Sequence, residues 1–306
     1  MVRVLALRSV PNLWRNEDSH PRVPWLHNIL TYNCSVHLKF LRLFIMPPTL
    51  LLIRHAQALH NVSNDWTIHD PPLSELGRQQ CAELQQSLKA SKIADEVDLI
   101  VVSSMRRTLE TAVLGLDWLI NDKKIKVLPN AGWQENADKP CDTGSAISVM
   151  EKEFPQLDFS QVDPRYPDKT TDIDNNPYAY TKQAIMARGQ MVLKELYSRP
   201  EKVIAVVSHS GFLRTAVCNR RFFNADWRVF DYDEDAMRQS RQKGEGADST
   251  GRFILKEWKE TEEKGGGMGR SEKGIFTNFS ADFPPDPPKI PETGEVTEEN
   301  PVPGAN

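Results

Sequence analysis

Three short runs of apolar residues constrain this chain more than any other feature: Thr49–Arg54 (TLLLIR), 98–102 (DLIVV) and 203–207 (VIAVV). Each is too short for a globular helix and lacks the polar alternation of a half-exposed strand. Each therefore reads as a strand buried on both faces, the pattern of a parallel sheet covered by helices. Helical periods lie between them. Ser74 can cap a helix in which Leu76, Cys81, Leu84 and Leu88 fall roughly on one face. Leu109, Ala112, Val113, Leu116, Leu119 and Ile120 recur at helical spacing and predict one amphipathic helix over 105–120. A further helix is expected over 181–197, a brief strand at 125–128, and a late edge strand at 253–258. This alternation predicts an α/β domain of three layers, α/β/α, around a mostly parallel central sheet.

Of the chain's 306 residues, 39% are hydrophobic, enough for one sizeable core with material left over at both ends. The expected division is an N-terminal extension over 1–45, a catalytic domain over 46–264, and a disordered tail over 265–306. The extension holds six Lys/Arg against two Asp/Glu up to Met46, leaving 32 against 40 in the remainder. It has the charge of a targeting peptide, but Glu17, Asp18 and the prolines at 11, 21 and 24 spoil an amphipathic helix. Its expected status is a disordered stretch, or one lying upstream of the native start at Met46. In the tail, seven of the 21 prolines and five acidic residues fall within 284–306, a composition too poor in apolar surface to offset its ordering entropy.

Charge and cysteine content narrow the function. A net charge of −4 gives no global basic field for nucleic acid or anionic lipid, and no run of 18 apolar residues is present to span a membrane. The expected partner is a small molecule; the oligomeric state stays open. Cys34, Cys81, Cys141 and Cys218 are widely spaced and form no C-x-x-C pair, which points to a reducing, cytoplasmic setting. No metal-ligand set is expected, because the spacing of His55 and His60 does not match a helical His pair.

Two of the strand ends carry the chemistry, Arg54-His55-Ala56 and Ser208-His209-Ser210. Ligands of open α/β sheets bind at the carboxyl ends of strands, so His55 and His209 can meet in one cleft. A neutral imidazole has a ring nitrogen free to attack phosphorus, and arginines can neutralise the oxygens of a phosphoryl group. Read in order, Arg54-His55-Ala56-Gln57, Asn61, Pro72-Leu73-Ser74-Glu75-Leu76-Gly77, Ser103 through Ala112, Gln134-Glu135 and Ser208-His209-Ser210-Gly211 resemble the histidine phosphatase superfamily, the phosphoglycerate mutase-like family. The resemblance, closest to fungal-type members of branch 1, spans roughly residues 49 to 258.

That resemblance implies a cofactor-independent phosphomonoester hydrolase of the histidine acid phosphatase type, with a phosphorylated small metabolite as substrate. It implies His55 as nucleophile, Glu135 as general acid and His209 as a second catalytic histidine, expected to be protonated. Arg54, Asn61, Arg107 and Ser210 are implied as the substrate-binding residues. Ala56 stands where the family has Gly, a mild departure. Arg107, not Arg106, matches the register of the family's arginine; a neighbour about 100° round the helix faces elsewhere. Asp142 and Arg165 share the insertion with Glu135 and are candidates to line the pocket, without an assigned role, and His60 and His69 read as loop residues. The alternative is a phosphomutase, an isomerase of the same family, whose fuller signature after the nucleophile is missing. A binding module without activity would have lost one of these groups.

Overall fold

The computed structural model describes residues 46–245, 251–277 and 283–284. The expected extension over 1–45 and the end of the tail lie outside the described residues. A six-stranded sheet runs in the order β3-β2-β4-β1-β5-β6. Its strands are β1 (Thr49–Arg54), β2 (Val97–Ser103), β3 (Lys126–Asn130), β4 (Val203–Ser208), β5 (Trp227–Tyr232) and β6 (Leu255–Glu257). The first four are mutually parallel, and β5 and β6 extend the sheet antiparallel at one edge.

The three layers follow from the period of two along each strand. Leu51, Ile53, Ile100, Val102, Ala205 and Val207 point to one face and pack against Leu84, Leu88, Leu109 and Ala112. Leu50, Leu52, Leu99, Val101, Ile204 and Val206 point to the other, against Ile185, Val192, Leu193 and Leu196. The first set of partners comes from helices Glu75–Lys89 and Arg106–Gly115, the second from helix Lys182–Tyr197. Ser74 caps the first helix by accepting from the Gly77 amide at 3.0 Å, and Thr181 caps the last by accepting from Ala184 at 3.1 Å.

Four features depart from the sequence expectation. The helix predicted over 105–120 is broken at Leu116, whose φ of −117° and ψ of 20° separate Arg106–Gly115 from Asp117–Asn121. β5 (WRVFDY) escaped notice because Arg228 and Asp231 interrupt its apolar pattern. Arg228 is nonetheless wholly buried, its guanidinium 2.7 Å from Glu257 on β6, so the strand carries its own countercharge. His60, read as a loop residue, lies in a short helix, Leu59–Ser63. Residues 265–277, assigned above to a disordered tail, pack against the domain instead. Buried Asp226 accepts from the amides of Met268 and Arg270 and from the Ser271 hydroxyl, and Phe276 donates its amide to Asn219. A buried carboxylate needs such donors, and that requirement holds the segment.

Candidate active site

Register brings the two histidines together. β1 and β4 pair in parallel with Arg54 opposite Ser208, and the His55 amide donates to the Ser208 carbonyl at 2.9 Å. The residues that follow each strand are therefore neighbours, and the rings of His55 and His209 lie 5.2 Å apart. Both are buried. The loop Asn224–Asp226 buttresses the first from behind: the Asn224 side chain and the Ala225 amide both donate to the His55 carbonyl.

His55 has a defined tautomer. Its Nδ1 lies 2.7 Å from the Ala56 carbonyl, which can only accept, so Nδ1 carries the proton. Its Nε2 is then the unprotonated nitrogen, and Arg107 Nε donates to it at 3.3 Å. Burial, reinforced by Arg107 and Arg54, pushes the ring's pKa well below its ordinary value and keeps that lone pair available. Ala56 is fully buried and its amide donates to Thr111 Oγ1, so the methyl that replaces hydrogen here is accommodated.

His209 does not match the expectation of a cation. Burial first, then Arg107, pushes its pKa well down, so the ring is neutral among these neighbours. Its Nε2 lies 2.9 Å from the Ser103 hydroxyl at the end of β2, and its Nδ1 has no partner among the described residues. Ser210, half-buried, opens the helical turn Ser210–Phe212 on the cleft wall.

Arg54 and Arg107 both line the cleft, an opening of about 310 Å³ shared with His55, His60, Asn61, Glu135 and Asp142. Arg54 Nη1 donates to the Phe222 carbonyl, and its Nε has no partner among the described residues. Burial holds its pKa down near 10, which leaves it charged at neutral pH. Arg107 donates through Nη1 to the Cys141 carbonyl at 2.6 Å and stands 3.3 Å from Asp142. Arg106 turns away: it pairs with Glu153 at 2.7 Å and donates to the Asp70 carbonyl. Arg165 pairs with Asp163 and does not line the cleft, and His69 is exposed.

Glu135 reaches the cleft from the loop after β3. Its carboxylate accepts from the amides of Gly211, at 3.0 Å, and Phe212, at 2.8 Å. A Cβ on residue 211 would sit 2.4 Å from Glu135 Oε1, so the glycine of the S-H-S-G motif is what lets the carboxylate approach. Arg188, buried on helix Lys182–Tyr197, donates to the Gln134 carbonyl and the Asn136 side chain while its guanidinium lies 4.2 Å from the Phe212 ring. The loop is pinned from both sides.

Sequence reasoning gave no role to three cleft-region groups, of which only Asp142 was a candidate to line the pocket. Lys169 is buried, with its ammonium donating to the carbonyls of Glu135, Ala137 and Asp142; burial lowers its pKa. Asp142 faces both Arg107 and Glu135, and burial followed by the Glu135 charge raises its pKa. His60 is only 4% exposed, with its ring 6.1 Å from that of His55. No motif marks these positions: the hydrogen-bond partners of Lys169 and the Arg107 that pairs with Asp142 are tens of residues away, and the spacing of His60 from His55 and Asn61 carries no signal that its ring is buried at the cleft. Among the described residues, no cluster of three or more His, Cys, Asp or Glu could hold a metal ion, and no helix is long and apolar enough to cross a membrane.

A sequence model of the histidine phosphatase superfamily (branch 1) matches residues 50–237. A Schizosaccharomyces pombe protein named as a probable phosphatase is 36% identical over 171 residues, covering 54% of this chain and 76% of that one. An Arabidopsis thaliana phosphoglycerate mutase-like protein is 30% identical over 199 residues, covering 54% of this chain and 72% of its own length.

Proposed function

The chain belongs to the histidine phosphatase superfamily (branch 1), and from that premise we propose that it hydrolyses a phosphomonoester of a small metabolite through a phosphohistidine on His55. One observation carries the reading above the others: Nδ1–H is committed to the Ala56 carbonyl, so Nε2 presents its lone pair beside Arg107. Attack by Nε2 forms the N–P bond as the ester P–O bond breaks. Arg54, Arg107 and the Ser210 turn face the equatorial oxygens, and each close charge contact stabilises the transition state by a few kcal/mol in order of magnitude. A phosphoryl dianion beside His209 would raise that ring's pKa and let it bind as a cation. Asn61 turns one amide hydrogen toward His60 and retains the other for an oxygen of the substrate.

Glu135 then protonates the departing alkoxide and takes a proton from the water that hydrolyses the phosphohistidine. Three backbone amides, of Asn136, Gly211 and Phe212, fix its carboxylate in the cleft, within reach of both the leaving oxygen and the attacking water. Every group in this scheme is a side chain or amide of the chain itself, so it runs without a cofactor. Three buried thiols, Cys81, Cys141 and Cys218, each with a pKa pushed up to about 12 chiefly by burial, suit a reducing, cytoplasmic compartment.

Hydrolysis is favoured over phosphate transfer back to substrate. The charged residues of the insertion over 129–176 that line the cleft, Glu135 and Asp142, are both acidic, a poor addition to the enclosure of a bisphosphorylated intermediate. The test is incubation with 3-phosphoglycerate and its bisphosphate primer, following both free phosphate and 2-phosphoglycerate. Phosphate release without isomerisation is expected; fast, primer-dependent formation of 2-phosphoglycerate with little free phosphate would make the protein a mutase.

A further inference from the structure

His60 lines the cleft but has no part in the scheme above. Its tautomer can be traced through two hydrogen bonds. The Ala58 amide donates to Asn61 Oδ1 at 3.1 Å, which fixes the orientation of that side-chain amide. Asn61 Nδ2 then stands 2.9 Å from His60 Nε2. An amide nitrogen can only donate, so Nε2 accepts and the ring proton sits on Nδ1. That buried Nδ1–H has no partner among the described residues. Native proteins seldom leave a buried donor unpaired unless a ligand or an ordered water takes the hydrogen bond.

The surroundings say which part of a substrate would take it. Arg54, Arg107 and His209 already supply donors for the phosphoryl oxygens. His60 lies on the side of the cleft toward Trp66, its ring 5.8 Å from an indole that is 42% exposed. The Lys139 ammonium stands 5.3 Å from the same indole and adds a cation at this edge. Burial, with Arg107 and Arg54 in support, holds the His60 pKa near 3, so the ring offers a neutral donor and no charge. Such a donor adds little to arginines on a dianion but can discriminate between leaving groups, because a site built to hydrogen-bond an oxygen rejects an analogue that lacks it.

We propose that His60 Nδ1–H is a specificity-determining donor to an oxygen on the leaving alcohol, so that the enzyme prefers monoesters of hydroxy- or carboxy-bearing alcohols over plain aryl esters. The proposal rests on the reading of this cleft as a phosphatase site. It is tested by measuring kcat/KM for glycerol 2-phosphate, 3-phosphoglycerate and phenyl phosphate in wild type, His60→Phe, His60→Asn and His55→Ala. The Phe variant keeps a ring and loses the donor; the Asn variant can place an N–H near Nδ1. The expected result is a fall of about tenfold or more in the preference for the better oxygen-bearing ester over phenyl phosphate in His60→Phe, with substantial recovery in His60→Asn. An unchanged preference, or an equal fall on all three esters, would overturn the proposal while His55-dependent turnover kept the phosphatase reading intact. Absence of turnover of every ester by the wild type would overturn both.

Discussion

Arg107 is buried with its guanidinium between His55 and Asp142, whereas Arg106, one position earlier, reaches out to Glu153. Replacing Arg107 by alanine should lower kcat/KM roughly a hundredfold, about 3 kcal/mol of transition-state stabilisation. Arg106→Ala should cost far less, since its guanidinium is held outside the cleft by Glu153 and the Asp70 carbonyl. Steady-state kinetics of the two variants check the ranking, and the reverse order would mean that the wrong arginine has been assigned to the phosphoryl group. The histidines make a second, independent prediction. His55, His60 and His209 all have pKa values depressed in the folded protein, while the unfolded chain takes up a proton on each near the ordinary value of about 6.5. Below that pH the unfolded state binds more protons, so stability is full above it and is lost as pH falls toward the folded values, near 3 for His60. The melting temperature should therefore drop between about pH 7 and about pH 5, and His60→Phe should show a smaller drop. Equal acid sensitivity in both proteins would contradict the assignment for His60.

At the scale of elements, what the sequence made legible is what lies next to a strand. Arg54-His55 and Ser208-His209 could be placed because an apolar run announces the strand end, and parallel pairing then dictates adjacency. Glu135 and Arg107 were legible through motif register and helix geometry. His60, Asp142 and Lys169 were not: Lys169 bonds carbonyls more than 25 residues earlier, Asp142 meets Arg107 from the insertion, and the burial of the His60 ring beside His55 follows from packing that its spacing does not encode. β5 was hidden by a buried charge whose partner lies on another strand. The turn after β4 yields a prediction of its own. Gly211→Ala would drive a methyl against the Glu135 carboxylate, 2.4 Å from Oε1. The expected outcome is a strong loss of turnover with only a modest fall in melting temperature, because the clash can be relieved by moving Glu135 out of place. Normal turnover in this variant would show that the position of Glu135 is not critical.

At the scale of the whole molecule, the segment 265–277 ties the C-terminal side of the domain to the site. Asp226 accepts from Met268, Arg270 and Ser271, and the Asp226 carbonyl in turn accepts from the Arg54 amide, one residue before His55. A chain ending at Lys264 would leave a buried carboxylate short of three donors, a defect worth several kcal/mol. Its melting temperature and its kcat/KM should both fall, while a chain ending at Pro284 should behave as the full-length protein does. Equal stability of the two truncations would return the segment to the status of a dispensable tail. The mechanism turns on a covalent step at one nitrogen, His55 Nε2, and the most direct measurement is of that bond. Rapid mixing with a phosphorylated substrate, followed by alkaline quench and peptide mapping, should reveal an acid-labile, base-stable phosphate on the peptide containing His55, absent in His55→Ala together with turnover. Near-normal turnover by His55→Ala, or a phosphoenzyme carrying its phosphate on another residue, would contradict the account.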